Sequence, residues 1–282
     1  MYQKKGQNAG FALFCGMGIV VKTKNIRYNI LIMVFAVLFV GSAGAMLWRA
    51  WQYHQSSAVY QDLANRVVQE NPAYTEEPSD KKKGRNGKPD RESAPIRVDF
   101  ETLTGQYPQI AGWLYCSGTN INYPVMQGED NSYYLHHAPD GAYQFSGSLF
   151  VSCNNTMPFA DDNTIIYGHN MKNGSMFGEL ANYRADRSYY RKHGVWYFLT
   201  PQKNFKLTIL AGCMVNTDSD VYRTDWGGQE ALVRYLNLLQ SKSEFQVEAP
   251  EKISHLATLS TCTSRSEKSR FVLVADVTPL AD

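Results

Sequence analysis

The chain has 282 residues, 44% of them apolar and 13% aromatic, and 28 Lys and Arg against 26 Asp and Glu leave a formal net charge of +2. Enough apolar surface is present to build a core, which excludes a wholly disordered chain, and a charge this balanced gives no footprint for nucleic acid, so no such partner is expected. Five cysteines without a C-x-x-C spacing are too few for a disulfide scaffold and lack the pattern of a structural zinc site.

Residues 1–29 carry Lys4, Lys5, Lys22, Lys24 and Arg27 and no acidic residue, and residues 30–48 carry no charge at all. At ~1.5 Å per residue the uncharged run makes ~28 Å of helix, close to the ~30 Å thickness of a bilayer core. The positive-inside rule then keeps 1–29 in the cytoplasm and puts everything after Trp48 outside the cell, with Trp48 and Trp51 where an interfacial aromatic belt would be. The stretch Ser42-Ala43-Gly44-Ala45 resembles a small-residue cleavage site, but the apolar run exceeds the usual 7–15-residue secretory core, which favours an uncleaved signal anchor. The apolar patch at 10–21 is too short to span.

Residues 49–95 read as a stalk. Val59, Leu63 and Val67 recur at i, i+4 and i+8, which predicts a short helix over 56–70. Residues 71–95 hold Pro72, Pro78, Pro89, Pro95, Gly84 and Gly87 among mixed charges, a composition that buries too little apolar area to order itself and predicts a solvated spacer. The folded, extracellular unit is expected at 96–282. Runs rich in β-branched and aromatic residues predict strands at 122–126, 148–152, 163–167, 195–200, 205–215, 253–260 and 271–277. Their mostly irregular connections argue for a barrel or sandwich rather than alternating βαβ units. Leu232, Leu236 and Leu239 predict one amphipathic helix at 229–239, and 99–107 reads as a second short one.

Cys262 ends an apolar, β-prone run that turns polar at Thr263, so its thiol borders a loop mouth that a substrate can reach. Cys116, Cys153 and Cys213 read as small buried hydrophobes, with a Cys116–Cys153 or Cys153–Cys213 disulfide left open. A nucleophilic cysteine needs an imidazole partner. His169 qualifies by position, because it too follows a strand, in Tyr167-Gly168-His169-Asn170. The paired His136 and His137 read as surface or packing residues, His54 belongs to the stalk, His193 to a basic turn and His255 to a strand. Arg270 opens the strand after Cys262, where its guanidinium can offer two donors to a developing oxyanion.

The string Thr258-Leu259-Ser260-Thr261-Cys262 followed by Arg270, with Tyr167-Gly168-His169 upstream, resembles a sortase of class B. Gly112-Trp113 and the run from Asn120 to Gln127 resemble the same branch, so the likeness covers about residues 98–278. It implies a mainly β fold: a closed eight-stranded sortase-type barrel with N-terminal helices and a helix before the cysteine strand, preceded by one transmembrane helix. It implies Cys262 as nucleophile, His169 as general acid/base and Arg270 as oxyanion stabiliser, with Ser260, Tyr167, Asn122 and Met126 lining the substrate groove. No metal or cofactor is implied.

The implied reaction cuts a C-terminal sorting motif, Asn-Pro-X-Thr-Asn or a Ser/Asn-Pro-X-Thr-Gly relative, after Thr. The acyl group then passes to an amine of a peptidoglycan cross-bridge or its lipid II precursor in a Gram-positive cell wall. The implied partners are surface proteins bearing that signal, and the membrane through the anchor. Pilin polymerisation, simple hydrolysis by a cysteine peptidase and an envelope binding domain with an inert cysteine are the alternatives.

Overall fold

The computed structural model describes residues 26–74, 93–248, 250, 252–262 and 268–280. Most of the expected spacer, from 75 to 92, the basic segment 1–25 and the turn opened by Thr263 lie outside them. The chain divides into two compact units, Met1–Ala50 and Trp51–Asp282. Helix α1 (Ile26–Val67) begins in the first, where it exposes Leu31, Phe35, Leu38 and Phe39; among the described residues none buries its most apolar window, and it is long and apolar enough to cross a membrane.

In the second unit the last turns of α1 are core. Tyr60, Leu63, Ala64 and Val67 recur with the helical period and are all buried, whereas Val59, expected on the inner face, is 45% exposed. The apolar stripe is rotated by one residue because Tyr60 has both a ring to bury and a hydroxyl that donates to the Gly147 carbonyl at 2.6 Å. Leu63, Ala64 and Val67 cluster with Leu103, Trp113, Tyr197 and Leu199. The compact unit therefore starts at Trp51, upstream of the start expected at residue 96. The helix also stops earlier than the expected 70, since β1 (Val68–Glu70) pairs antiparallel with β2 (Ile96–Val98).

After β2 comes α2 (Phe100–Gln106), capped by Asp99, whose carboxylate accepts from the Thr102 amide at 3.0 Å. There follow β3 (Ile110–Tyr115), β4 (Asn122–Gln127), β5 (Leu149–Val151), β6 (Asn163–Gly168), the short helices α3 (Asn182–Ala185) and α4 (Tyr189–His193), β7 (Val195–Leu199) and β8 (Asn204–Asn216). Then come α5 (Gln229–Ser241), β9 (Leu256–Cys262) and β10 (Ser269–Pro279). All seven expected strands are present. β1, β2 and β3 are additions, and β3 is the one in the barrel: its Ala-Gly interruption hides it in the sequence, but Gly112 is needed there, since a Cβ would fall 2.3 Å from a Phe198 ring carbon.

Eight strands close into a barrel in the order β10-β8-β7-β3-β4-β5-β6-β9. Two neighbouring pairs, β4 with β5 and β6 with β9, are parallel. The interior is filled by alternate residues such as Leu114, Val125, Ile166, Phe198, Leu259 and Leu273. Outside, α5 lays Leu232, Leu236 and Leu239 on Leu210, Cys213, Val272 and Val274.

Candidate active site

Strand register assembles the site. β6 runs parallel to β9 with Tyr167 opposite Ser260 and Gly168 opposite Thr261, so one further step along the same register sets His169 beside Cys262. On the other side β10 runs antiparallel to β9 with Arg270 opposite Cys262. Neighbouring strands lie about 5 Å apart. The backbone positions of the three residues therefore form one row across three adjacent strands at one end of the barrel, although 93 residues of sequence separate His169 from Cys262. The thiol of Cys262 lies outside what is described.

His169 is half-buried. Its Nε2 donates to the Leu135 carbonyl at 2.7 Å, since a carbonyl oxygen can only accept. The neutral ring thus carries its free lone pair on Nδ1. Burial holds its pKa below the ordinary imidazole value, the bond to Leu135 opposes that, and the His136 ring, 5.6 Å away, reinforces it. Leu135 closes a short 3₁₀ turn, Tyr133–Leu135, held by the Asp130 carboxylate accepting from the Ser132 and Tyr133 amides at 2.7 Å each.

Next to the row, Tyr167 stacks on Tyr222 with ring centroids 6.1 Å apart, and the Tyr222 hydroxyl and Ser260 Oγ share a hydrogen bond of 2.9 Å. Burial, with Tyr222 adding, pushes the Tyr167 phenol up to about 12; a hydrogen bond with Ser152 and the positive charge of nearby Arg270 oppose the rise. Arg270 is half-buried and donates from Nη1 to the Ser269 carbonyl at 3.1 Å. The positions of a histidine, an arginine and a strand-end cysteine thus share one end of the barrel, residue types that suit acyl transfer through a thioester.

Comparison with known proteins agrees. A sortase domain model matches residues 114–278. The chain belongs to the sortase family, in class B. Sortase B of Listeria monocytogenes is 34% identical over 63% of this chain and 73% of its own. The Staphylococcus aureus sortase B–substrate complex is 30% identical over 64% of this chain and 85% of that one, with a TM-score of 0.60. Sortase B from Bacillus anthracis in complex with AAEK1 is 25% identical over 81% and 99% of the two chains, with a TM-score of 0.64. Sortases are cysteine transpeptidases.

Two of the four residues expected along the sortase's groove are turned elsewhere. Met126 is 0% exposed and packs with Tyr134 and Phe150 in the core. Asn122 accepts from the Trp113 indole at 2.7 Å and faces a polar pocket of about 320 Å³ beside α1 rather than the row. Ser260 is buried and engaged with Tyr222, which leaves Tyr167 as the half-exposed member of the expected set next to the row. Tyr222 and Leu135, which sequence reasoning did not single out, hold Ser260 and His169; neither lies in a motif, and only the fold brings them there.

The other described cysteines are free thiols, so neither open disulfide pairing is formed. Cys116 and Cys213 are buried, and burial pushes both thiols up to about 12. Such groups cannot rival a mouth cysteine as nucleophile.

Proposed function

We propose that this sortase cleaves a C-terminal sorting motif of the Asn-Pro-X-Thr-Asn or Ser/Asn-Pro-X-Thr-Gly type after its Thr and passes the acyl group to an amine of a peptidoglycan cross-bridge or its lipid II precursor. The Cys262 thiolate attacks the Thr carbonyl, and the Arg270 guanidinium stabilises the oxyanion that forms. Collapse breaks the peptide bond, the leaving nitrogen takes a proton from the His169 imidazolium, and a thioester remains on Cys262. The incoming amine then attacks the thioester, His169 takes the proton the amine sheds, and the thiolate is released. The observation that carries the reading is the strand register that sets positions 169, 262 and 270 side by side.

The uncharged, exposed helix following five basic residues supports a signal anchor with 1–29 in the cytoplasm and the catalytic unit outside. The S. aureus relative, solved as a substrate complex, supports protein substrates carrying a sorting signal. The deciding experiment is mass spectrometry of products from a panel of sorting-motif peptides, with diaminopimelate, oligoglycine or a pilin lysine peptide as acceptor. Amide product with a cross-bridge amine is expected. Product only with the pilin lysine would assign polymerisation, free acid alone would assign hydrolysis, and no cleavage of any peptide would overturn the reading.

A further inference from the structure

Exposed large apolar side chains of the Trp51–Asp282 unit are unevenly spread. Among the described residues, Tyr133, Tyr143 and Phe145 lie on one connecting segment between β4 and β5, and Trp51 and Val59 lie on α1, against which that segment is tied; Val195 and Leu238 stand apart on β7 and α5. Gln144 Nε2 donates to Ser56 Oγ at 2.7 Å, Ser56 and Ser146 share a hydrogen bond, and the Phe145 ring meets Tyr53 edge-on at 6.0 Å. Tyr143 is 73% exposed and Phe145 48%. Between 131 and 148 the one formally charged residue is Asp140, and between 50 and 61 there is none. An exposed aromatic segment with a single formal charge, packed on an uncharged stretch of helix, has the make-up of an interaction surface.

Chain connectivity points to the occupant. Tyr53 stands five residues after Trp48, the end of the apolar run, so however the chain leaves the bilayer, Tyr53 lies within about 18 Å of that end. Phe145 rests on Tyr53. Tyrosine, tryptophan and phenylalanine on an uncharged face are the side chains that partition into the headgroup region. We propose that the face carrying Tyr143 and Phe145 rests on the bilayer interface, a contact additional to the anchor helix. The inference depends on the anchored reading above and extends it. Tyr143 packs on His136 at 6.2 Å, and His136 lies 5.6 Å from His169. A seated face therefore holds the reaction mouth at the membrane surface, where a lipid-linked amine would be presented.

The test uses the full chain reconstituted in phosphatidylcholine–phosphatidylglycerol vesicles whose acyl chains carry bromine near the headgroup end. Phe145→Trp and, as a second reporter, Tyr143→Trp add an indole on the face; Leu238→Trp adds one at an exposed position on α5, outside it. Relative to the parent chain, the added emission of both face variants is expected to be blue-shifted and lost to the brominated lipid, while that of Leu238→Trp is retained. Emission from both face variants as unquenched as that of Leu238→Trp, in a chain that resists carbonate extraction, overturns the inference and leaves the anchor standing. Release of the chain by carbonate overturns the anchored reading itself. Blue-shifted but unquenched emission with a dimer on sedimentation would assign the face to a second copy and overturn the membrane contact.

Discussion

At the scale of single residues, the reaction proposed above needs a thiolate on Cys262 and an imidazolium on His169 at the same time. Desolvation favours the neutral imidazole of His169, so its proton leaves below the ordinary 6.5, and the proposed mechanism then draws on a minor ion-pair population. The acid limb of kcat/KM is expected below pH 6.5, with a low maximum; a pH profile whose acid limb sits at or above 6.5 would contradict the buried placement. The same shift bears on stability. The unfolded chain binds the proton more readily than the native one, so His169 makes folding less favourable as pH falls through 6.5 toward its native value. Cys262→Ala should abolish cleavage in a peptide assay. Arg270→Lys should lower kcat by on the order of 10²–10³, the cost of losing an oxyanion donor, because a point ammonium cannot reproduce the planar fork; an unimpaired kcat in that variant would remove the guanidinium from the mechanism. These three positions are legible in the sequence because each stands at a strand end in a distinctive string. Leu135 and Tyr222 are not legible, because a backbone carbonyl and a loop tyrosine acquire their roles only through contacts made by folding.

At the scale of elements, strands are readable where β-branched and aromatic residues run together, and unreadable where close packing requires a small residue. β3 is the case in point. Its Gly112 breaks the run of strand-forming residues, yet a methyl group there would meet the Phe198 ring at 2.3 Å and the Leu199 carbonyl at 2.6 Å. Gly112→Ala should therefore destabilise the barrel by about 1–3 kcal/mol, the usual cost of overpacking, seen as a lower denaturant midpoint; an unchanged midpoint would mean the β3–β7 packing yields more easily than its distances imply. The inner face of α1 is a subtler case. Periodicity alone favours Val59, and the winning residue is Tyr60, whose hydroxyl finds the Gly147 carbonyl and Ser148. Apolarity marks a helix face to within one residue, and hydrogen bonding decides the rest.

At the scale of the whole molecule, strand existence is local information and strand order is not. Nothing in the sequence of β6 announces that it lies parallel to β9, yet that pairing brings His169 beside Cys262. The resemblance of the motifs, rather than periodicity, supplies the closed barrel in advance. The same non-locality governs where the folded unit begins. The charged, proline-rich composition of 71–95 makes 96 look like a natural start, but Leu63 and Val67, upstream of it, complete a cluster with Leu103, Trp113 and Leu199. Burying these two side chains contributes roughly 3–6 kcal/mol at about 1.5–3 kcal/mol each. For a unit of this size each kcal/mol moves Tm by about 2–4 °C, so a chain starting at residue 96 should melt on the order of 10 °C below one starting at Trp51. Calorimetry of the two chains decides it. Equal melting temperatures would mean the barrel closes without α1, and that Tyr60, Leu63 and Val67 cover a surface already stable in water.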